Sequence, residues 1–343
     1  MRLYVVLLAA FVVLRLDQGV ASADLERQSC RCPVLSAANA TSMASAILGL
    51  PAPTAPFSLA VCTMFHNEGP YLLEWVLYHY LIGFQHFFMY DNESDDNPRA
   101  ILQPLIDRKL VTYISWPGTQ EKYYAQNRQL ADCFNLLAPA KAKWMAGFDL
   151  DEFVVVLNQQ ATAQAFPNSF ALHGLLRSFE EQHEGGIILD RVTFTSNGHE
   201  QRRPGLSIVE YTERVVEVRP MSAAGKVIVL TQAMKNMRTF HTVELQANWS
   251  VVAADHRPWV EHSKYRTFEP IRMNHYQQRS YEECLGKIST RLSPDHWRVI
   301  HGKTLCNRHM EGKEGYNKAA TAVDRFLADS GFPDLILALK LRL

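Results

Sequence analysis

The stretch Trp144-Met145-Ala146-Gly147-Phe148-Asp149-Leu150-Asp151-Glu152-Phe153 leaves an apolar run, turns acidic, and re-enters a second apolar run at Phe153-Val154-Val155-Val156. Such a pattern reads as a buried strand that emerges into a short acidic turn and returns to the core. In strand-like backbone, residues i and i+2 point the same way, so Asp149 and Asp151 are expected to converge on one cation. Hard divalent ions such as Mn2+ or Mg2+ prefer carboxylate oxygens and often carry a substrate diphosphate with them. In a chain of this length about one Asp-x-Asp arises from composition alone. The motif therefore takes its meaning from its surroundings.

Upstream of it the pattern alternates. Residues 59–65 read as a strand, ended by Asn67-Glu68-Gly69-Pro70, and residues 71–82 as a helix that is apolar nearly all round and closed by Gly83. Residues 86–90 form a second strand candidate, stopped by Asp91-Asn92-Glu93-Ser94-Asp95-Asp96-Asn97-Pro98. A helix over 100–108, a strand over 111–115, a longer helix over 122–137 and a fourth strand over 144–149 complete the series. Strands alternating with helices imply βαβ units, hence an α/β fold with a mostly parallel central sheet and helices on both faces. Ligands in such sheets bind beyond the carboxyl ends of the strands. Those ends are Asn67-Glu68, Asp91-Asn92 and Asp149 to Asp151, three polar clusters on one rim. The second half is less regular: residues 185–195, 210–217, 226–230 and 240–244 read as strands, 276–292 and 316–330 as helices.

The composition excludes several classes. Lys+Arg and Asp+Glu balance at 35 each, so bulk electrostatics point to no nucleic-acid partner. Met1-Arg2, an apolar run over 3–14 and Ala21-Ser22-Ala23 describe a secretory signal peptide over 1–23, with a marginal membrane anchor as the alternative. Residues 33–58 hold no charge and are rich in Ala, Pro and Ser, so 24–58 reads as a flexible stem. The sequons at Asn39, Asn92 and Asn248 and the six cysteines suit an oxidising lumen. Cys62, inside an apolar strand, is expected to be a plain buried thiol, and Cys30-Arg31-Cys32 lacks zinc-ligand spacing.

Several residues carry candidate chemistry, each with a structural alternative. Asp91 sits where a carboxylate would bind ribose hydroxyls, or simply shapes an Asp/Asn/Ser loop. Asn67 and Glu68 would approach a nucleotide base or cap the following helix. His275, in Arg272-Met273-Asn274-His275-Tyr276, is the candidate third metal ligand beside two carboxylates. Lys226, Arg279 and Lys287 are candidates to neutralise a diphosphate, although most basic residues are solvated. His199 and His241 are further candidates for contact with a sugar or leaving group.

The runs His66-Asn67-Glu68-Gly69-Pro70-Tyr71-Leu72-Leu73-Glu74-Trp75, Tyr90-Asp91-Asn92-Glu93-Ser94-Asp95, Phe148-Asp149-Leu150-Asp151-Glu152-Phe153 and Asn274-His275-Tyr276 resemble glycosyltransferase family 92, formerly domain of unknown function 23 and related to family 2. The resemblance covers roughly residues 58–292. It implies a GT-A-like fold, a Golgi or otherwise secretory location, and inverting, metal-dependent transfer from a UDP-sugar, galactose favoured, to a glycan or glycoprotein acceptor. It makes 59–343 the transferase domain, with 59–157 binding the nucleotide sugar and 158–343 the acceptor. By the same resemblance Asp149 and Asp151 form the metal and diphosphate motif, Asp91 binds the nucleotide, and His275 belongs to the donor site.

Inversion needs a carboxylate base to take the acceptor's hydroxyl proton. Glu282 and Glu283 are the candidates, with Glu200 and Glu244 behind them. A glycan on Asn92 would obstruct a nucleotide held by Asp91, so Asn92 is expected to be unmodified and Asn39 accessible. Two other classes compete: a non-catalytic carbohydrate-binding scaffold, and a metal-dependent nucleotide-sugar hydrolase, which ordinarily gathers more histidines.

Overall fold

A computed structural model of the protein describes residues 36–117, 128–137, 141–157, 171–215, 225–260, 266–290, 306 and 321–343. The expected signal segment and Cys30-Arg31-Cys32 lie outside the described residues. No described helix is long and apolar enough to cross a membrane.

Helix α1 (Ala37–Leu48) is followed by strand β1 (Phe57–Phe65), helix α2 (Gly69–Ile82), strand β2 (His86–Asp91), helix α3 (Pro98–Asp107) and strand β3 (Val111–Ser115). The punctuation explains each boundary. Pro70 occupies the first turn of α2, where its missing N–H costs nothing, and Gly83 ends the helix at φ 121°, which a side chain would oppose. A π-helical segment, Ala131–Leu137, precedes β4 (Ala142–Gly147) and β5 (Glu152–Val156), which flank the acidic turn. The rest comprises α4 (Ala171–Glu181), β6 (Glu184–Leu189), β7 (Arg191–Thr193), the short α5 (Ser207–Glu210), β8 (Glu213–Val215), β9 (Lys226–Leu230), β10 (Met234–Thr239), β11 (Thr242–Leu245), β12 (Ser250–Ala253), β13 (Ile271–His275), α6 (Tyr281–Thr290), β14 (Thr321–Val323) and α7 (Phe332–Lys340).

The central sheet has seven strands in the order β12-β6-β9-β4-β1-β2-β3. Strands β1, β2, β3 and β4 are mutually parallel, and β9 alone runs against its neighbours β4 and β6. Between β1 and β4 the direction of strand progression reverses, the switch point at which α/β sheets bind ligands. The register aligns the expected rim: Phe65 faces Asp91, Asp91 faces Ser115 and Cys62 faces Gly147.

Alternate residues of β1 and β2 feed two cores. Leu59, Val61, Phe87 and Met89 pack with α1, α2, α3 and α7 on one face, and Ala60, Cys62, Phe88 and Tyr90 pack on the other. Helices lie on both faces as expected, and on the second face the π-helical segment is joined by the β10–β11 hairpin, through Phe134, Met237 and Phe240. This segment explains Cys62, which is not a plain thiol. It points from β1 into the second core and is bonded to Cys133 of the π-helical segment. A second disulfide joins Cys284 and Cys306.

Other expectations also change. Part of the supposed stem is the ordered α1, whose Ala40, Ala44 and Ile47 are buried. Residues 185–195 break into β6 and β7. Residues 210–217 begin in a helical turn, and 276–280 precede α6 rather than belonging to it. Within 316–330 the described part holds a strand, not a helix. Of the helix over 122–137, positions 122–127 lie outside the described residues.

Two predictions follow from the packing. The Cys62–Cys133 bridge closes a loop of 71 residues, and removing both cysteines (Cys62→Ala with Cys133→Ala) should cost about 4 kcal/mol by loop-closure entropy. An unchanged urea midpoint would sink that expectation. His79 is wholly buried in an aromatic cluster and burial pulls its imidazole down to about 3, while burial pulls His86 down to about 4. The unfolded chain protonates near 6.5 and the native rings do not, so their contribution is complete above pH 6.5 and is lost as the pH falls toward 4. The melting temperature should drop through that window, and less so in a His79→Gln variant.

Candidate functional site

The acidic turn is held from three directions. Its exit strand β5 pairs antiparallel with β13, so that His275 stands opposite Glu152 and Asn274 opposite Phe153. The amide of Tyr276 donates to the Asp151 carbonyl at 2.7 Å, which brings the end of β13 onto the turn. From the other side α2 supplies side chains: Trp75 Nε1 donates to the Glu152 carbonyl at 2.8 Å and Tyr78 Oη to the Val154 carbonyl at 2.6 Å. His79 Nε2 accepts the Val154 amide at 3.3 Å. Strand β9 then delivers Lys226 from the central sheet.

Lys226, 3% exposed, reaches Asp149 Oδ2 at 2.8 Å and Glu152 Oε2 at 3.0 Å. Glu152 Oε2 also accepts the Asp149 amide at 3.0 Å. Burial works to lower the Lys226 ammonium, but Asp149 and Glu152 hold it above its ordinary value. Burial likewise works to raise Asp149, and Lys226 outweighs it, leaving that carboxyl below its ordinary value. Burial wins at Glu152, which is raised despite Lys226. His241, its Nδ1 2.7 Å from the Gly225 carbonyl, lies beside this cluster, and burial reinforced by Lys226 keeps it low. The charge of Lys226 is thus spent on the motif rather than offered to a ligand.

Asp151 has different company. Lys287 of α6 contacts its Oδ2 at 2.5 Å, and His275 Nε2 stands 3.4 Å from its Oδ1. Burial works to raise its carboxyl, and Lys287 followed by His275 overrides that and holds it well below the usual range. Among the described residues no three His, Cys, Asp or Glu side chains gather as a set of metal ligands. Of the three expected ligands, His275 stands beside Asp151, while Asp149 is engaged by Lys226.

The nucleotide-side candidates share the rim but are tied to one another. Asp91 Oδ1 accepts the Ser94 amide at 3.0 Å, and its Oδ2 accepts the Tyr113 hydroxyl. Asn67, at φ 53°, receives the Asp95 amide on its Oδ1 at 2.8 Å and gives its own amide to Ser94 Oγ at 2.9 Å. Glu68 occupies the N-cap position of α2 without a side-chain cap. Tyr113 had no sequence signal, since only the β2–β3 register brings it to Asp91. Asn92 is half-buried behind this loop, whereas Asn39 is exposed on α1.

The base candidates fare worse. Glu283 forms a capping box with Ser280, receiving its hydroxyl at 2.6 Å and its amide at 2.9 Å. It also accepts the hydroxyls of Tyr71 and, at 2.6 Å, Tyr211. Burial would raise its carboxyl, and these donors together hold it below the ordinary value. A carboxylate so saturated is a structural knot joining α2, α6 and the approach to β8. Glu282 is exposed and accepts the Arg202 amide at 2.8 Å. Glu244 lies on the β10–β11 hairpin, where hydrogen bonds from Lys235 and Arg238 pull it down to about 2. Glu200 is exposed and meets α6 only through its carbonyl, which accepts the Glu282 amide at 2.9 Å. His199 likewise receives the Tyr281 amide on its carbonyl at 3.0 Å.

More than half of the buried side-chain nitrogen and oxygen atoms without a hydrogen-bond partner among the described residues belong to Asp151, Glu152, His275, Gln278 and Arg279. Native interiors leave few such atoms, and these gather where the acidic turn meets the end of β13 and the residues after it. An α/β sheet with paired carboxylates and open polar atoms at its switch point is the class of protein defined so far. Residues 55–304 match the family model for glycosyltransferase family 92, and the chain belongs to that family.

Curated relatives agree. A family 92 protein of Ricinus communis is 37% identical over 99 residues, 29% of this chain and 17% of that protein. One of Arabidopsis thaliana is 26% identical over 223 residues, 64% of this chain and 37% of its own length. The chain thus spans well under half the length of these relatives. Among solved structures, S. aureus TarS 1–349 in complex with UDP aligns at a TM-score of 0.33 and 14% identity, covering 51% of this chain and 47% of that one.

The buried Lys226–Glu152 contact gives a direct test. Lys226→Met strands a wholly buried carboxylate and should cost about 3–5 kcal/mol, whereas Lys226→Met with Glu152→Leu should recover part of that loss. Equal urea midpoints for Lys226→Met and the native chain would refute the charge assignment.

Proposed function

We propose that this protein transfers a hexose, galactose first among the choices, from a UDP-sugar to a glycan acceptor with inversion at the anomeric carbon. The carrying observation is the cluster of open, buried polar atoms at the switch point of a family 92 chain. A sheet's switch point favours a nucleotide, and the acidic turn beside it favours a cation-borne diphosphate.

The donor set is compatible with Mn2+ or Mg2+. His275 Nε2 and Asp151 Oδ1 stand 3.4 Å apart, about the spacing of two ligands sharing an ion at roughly 2.1 Å each, and Asp151 Oδ1 has no hydrogen-bond partner. Asp149, its side chain 46% exposed, would join by exchanging Lys226 for the ion. A bound ion would offset the charge gathering on the departing UDP. Lys287 and Lys226 orient the two carboxylates, and Asp91 and Asn67 shape the loop that borders the nucleotide side of the rim. The two disulfides support passage through an oxidising compartment, in keeping with the Golgi lumen or membrane.

The test is incubation of the protein with Mn2+ and a panel of UDP-sugars, with and without glycan acceptors. Sugar transfer that requires acceptor is the expected result. Donor cleavage indifferent to acceptor would replace this reading with hydrolysis, and absence of donor binding would replace it with a scaffold. Asp151→Asn and His275→Ala should each lower Mn2+-dependent UDP affinity by about tenfold or more while circular dichroism stays native. Unaltered affinity in both would remove the metal role.

A further inference from the structure

We propose that Arg279 is the residue that grips the diphosphate of the bound nucleotide, an assignment that rests on the transferase reading and deepens it. Three cations border the acidic turn, and they are not equivalent. Lys226 is shared between Asp149 and Glu152, and Lys287 is engaged by Asp151 and by the Gln277 carbonyl at 3.4 Å. Arg279, 1% exposed, uses one nitrogen, donating from Nη2 to the Leu150 carbonyl at 3.2 Å. Its Nε and Nη1 have no hydrogen-bond partner.

The surrounding acids do not fill those donors. Glu283 is saturated by Ser280, Tyr71 and Tyr211, and Asp151 is bound to Lys287 and His275. What fixes the guanidinium is geometry. Its carbon lies 3.3 Å from the centroid of the Tyr71 ring, a stacked cation–π contact, and the Tyr71 hydroxyl is anchored on Glu283. The Leu150 carbonyl, between the two aspartates of the motif, holds the other end. The Arg279 backbone sits at φ 51°, a conformation that costs a non-glycine residue and persists only where its surroundings impose it.

A buried guanidinium with two vacant donors is costly unless an acceptor reaches it. Its planar set of N–H groups matches phosphate oxygens better than an ammonium does. The acceptor that the acidic turn brings to this point is a cation-bound phosphate, whose outward oxygens need hydrogen-bond donors. Neutral sugar hydroxyls would fill these donors without matching the guanidinium's charge.

The experiment compares UDP, by calorimetry with Mn2+, and uridine, by ligand-observed NMR, on the full chain and on Arg279→Gln and Arg279→Lys. The expected result is a loss of at least about tenfold in UDP affinity for Arg279→Gln, a smaller loss for Arg279→Lys, and unchanged uridine binding. Equal UDP affinity in Arg279→Gln and the native chain would overturn the assignment and leave the transferase reading standing. A parallel loss of uridine binding, or failure of both variants to fold, would overturn it in favour of a structural role. A native chain that binds neither UDP nor a UDP-sugar would remove the transferase reading and this assignment together.

Discussion

The open edge of β5 is the constraint on which the rest of this site depends. In the sheet β5-β13-β7 one side of β5 pairs with β13, and the other has no strand beside it among the described residues. Buried peptide groups without partners are costly, and α2 closes that edge with side chains: Trp75 and Tyr78 donate to the carbonyls of Glu152 and Val154, and His79 accepts the Val154 amide. This arrangement also explains why His79 stays neutral in the core, since its Nε2 must remain an acceptor. Because α2 springs from the end of β1, the same helix sets the position of Asn67 and Glu68. One packing contact thus couples the two polar clusters on either side of the switch point.

Charge is distributed across that contact with little surplus. Asp149 and Glu152 answer Lys226, Asp151 answers Lys287, and Glu283 answers neutral hydroxyls instead of a cation. Burial would otherwise neutralise these groups. The pairs hold Asp149 and Asp151 ionised while Glu152, with one oxygen open, is pushed up. The acidic turn thus holds two ionised aspartates, and of Lys226, Lys287 and Arg279 beside it, Arg279 has nitrogens without a hydrogen-bond partner among the described residues.

The first half of the fold was legible because each element is an apolar run closed by strong punctuation. Residues 111–115 match their strand to the residue, as residues 226–230 do in the second half, and Gly83 and Pro70 bound α2 as read. The acidic turn was legible for the same reason. What escaped depended on contacts distant in sequence. Cys62 looks alike as a thiol or a disulfide, and Cys133 is 71 residues away. Helix α1 has no charge to mark a face, yet Ala40, Ala44 and Ile47 make a buried stripe. Strand β13 was taken only as a site motif, since its pairing with β5 and β7 is invisible locally. Glu283 looked like a free acid because Tyr71 and Tyr211 come from remote elements. Lys226 carried a readable clue, being a lysine at the head of a wholly apolar strand, which requires an anion.

The single antiparallel strand in the central sheet has a consequence for how such chains can diverge. Strand β9 inserts between β4 and β6, so the counter-charge for the acidic turn arrives from a part of the chain that the βαβ half does not contain. His275, Arg279 and Lys287 come from still later. The residues before and after β5 therefore share one set of buried ion pairs. A chimera joined after β5 would need an incoming segment that matched Lys226 to Glu152 and Lys287 to Asp151.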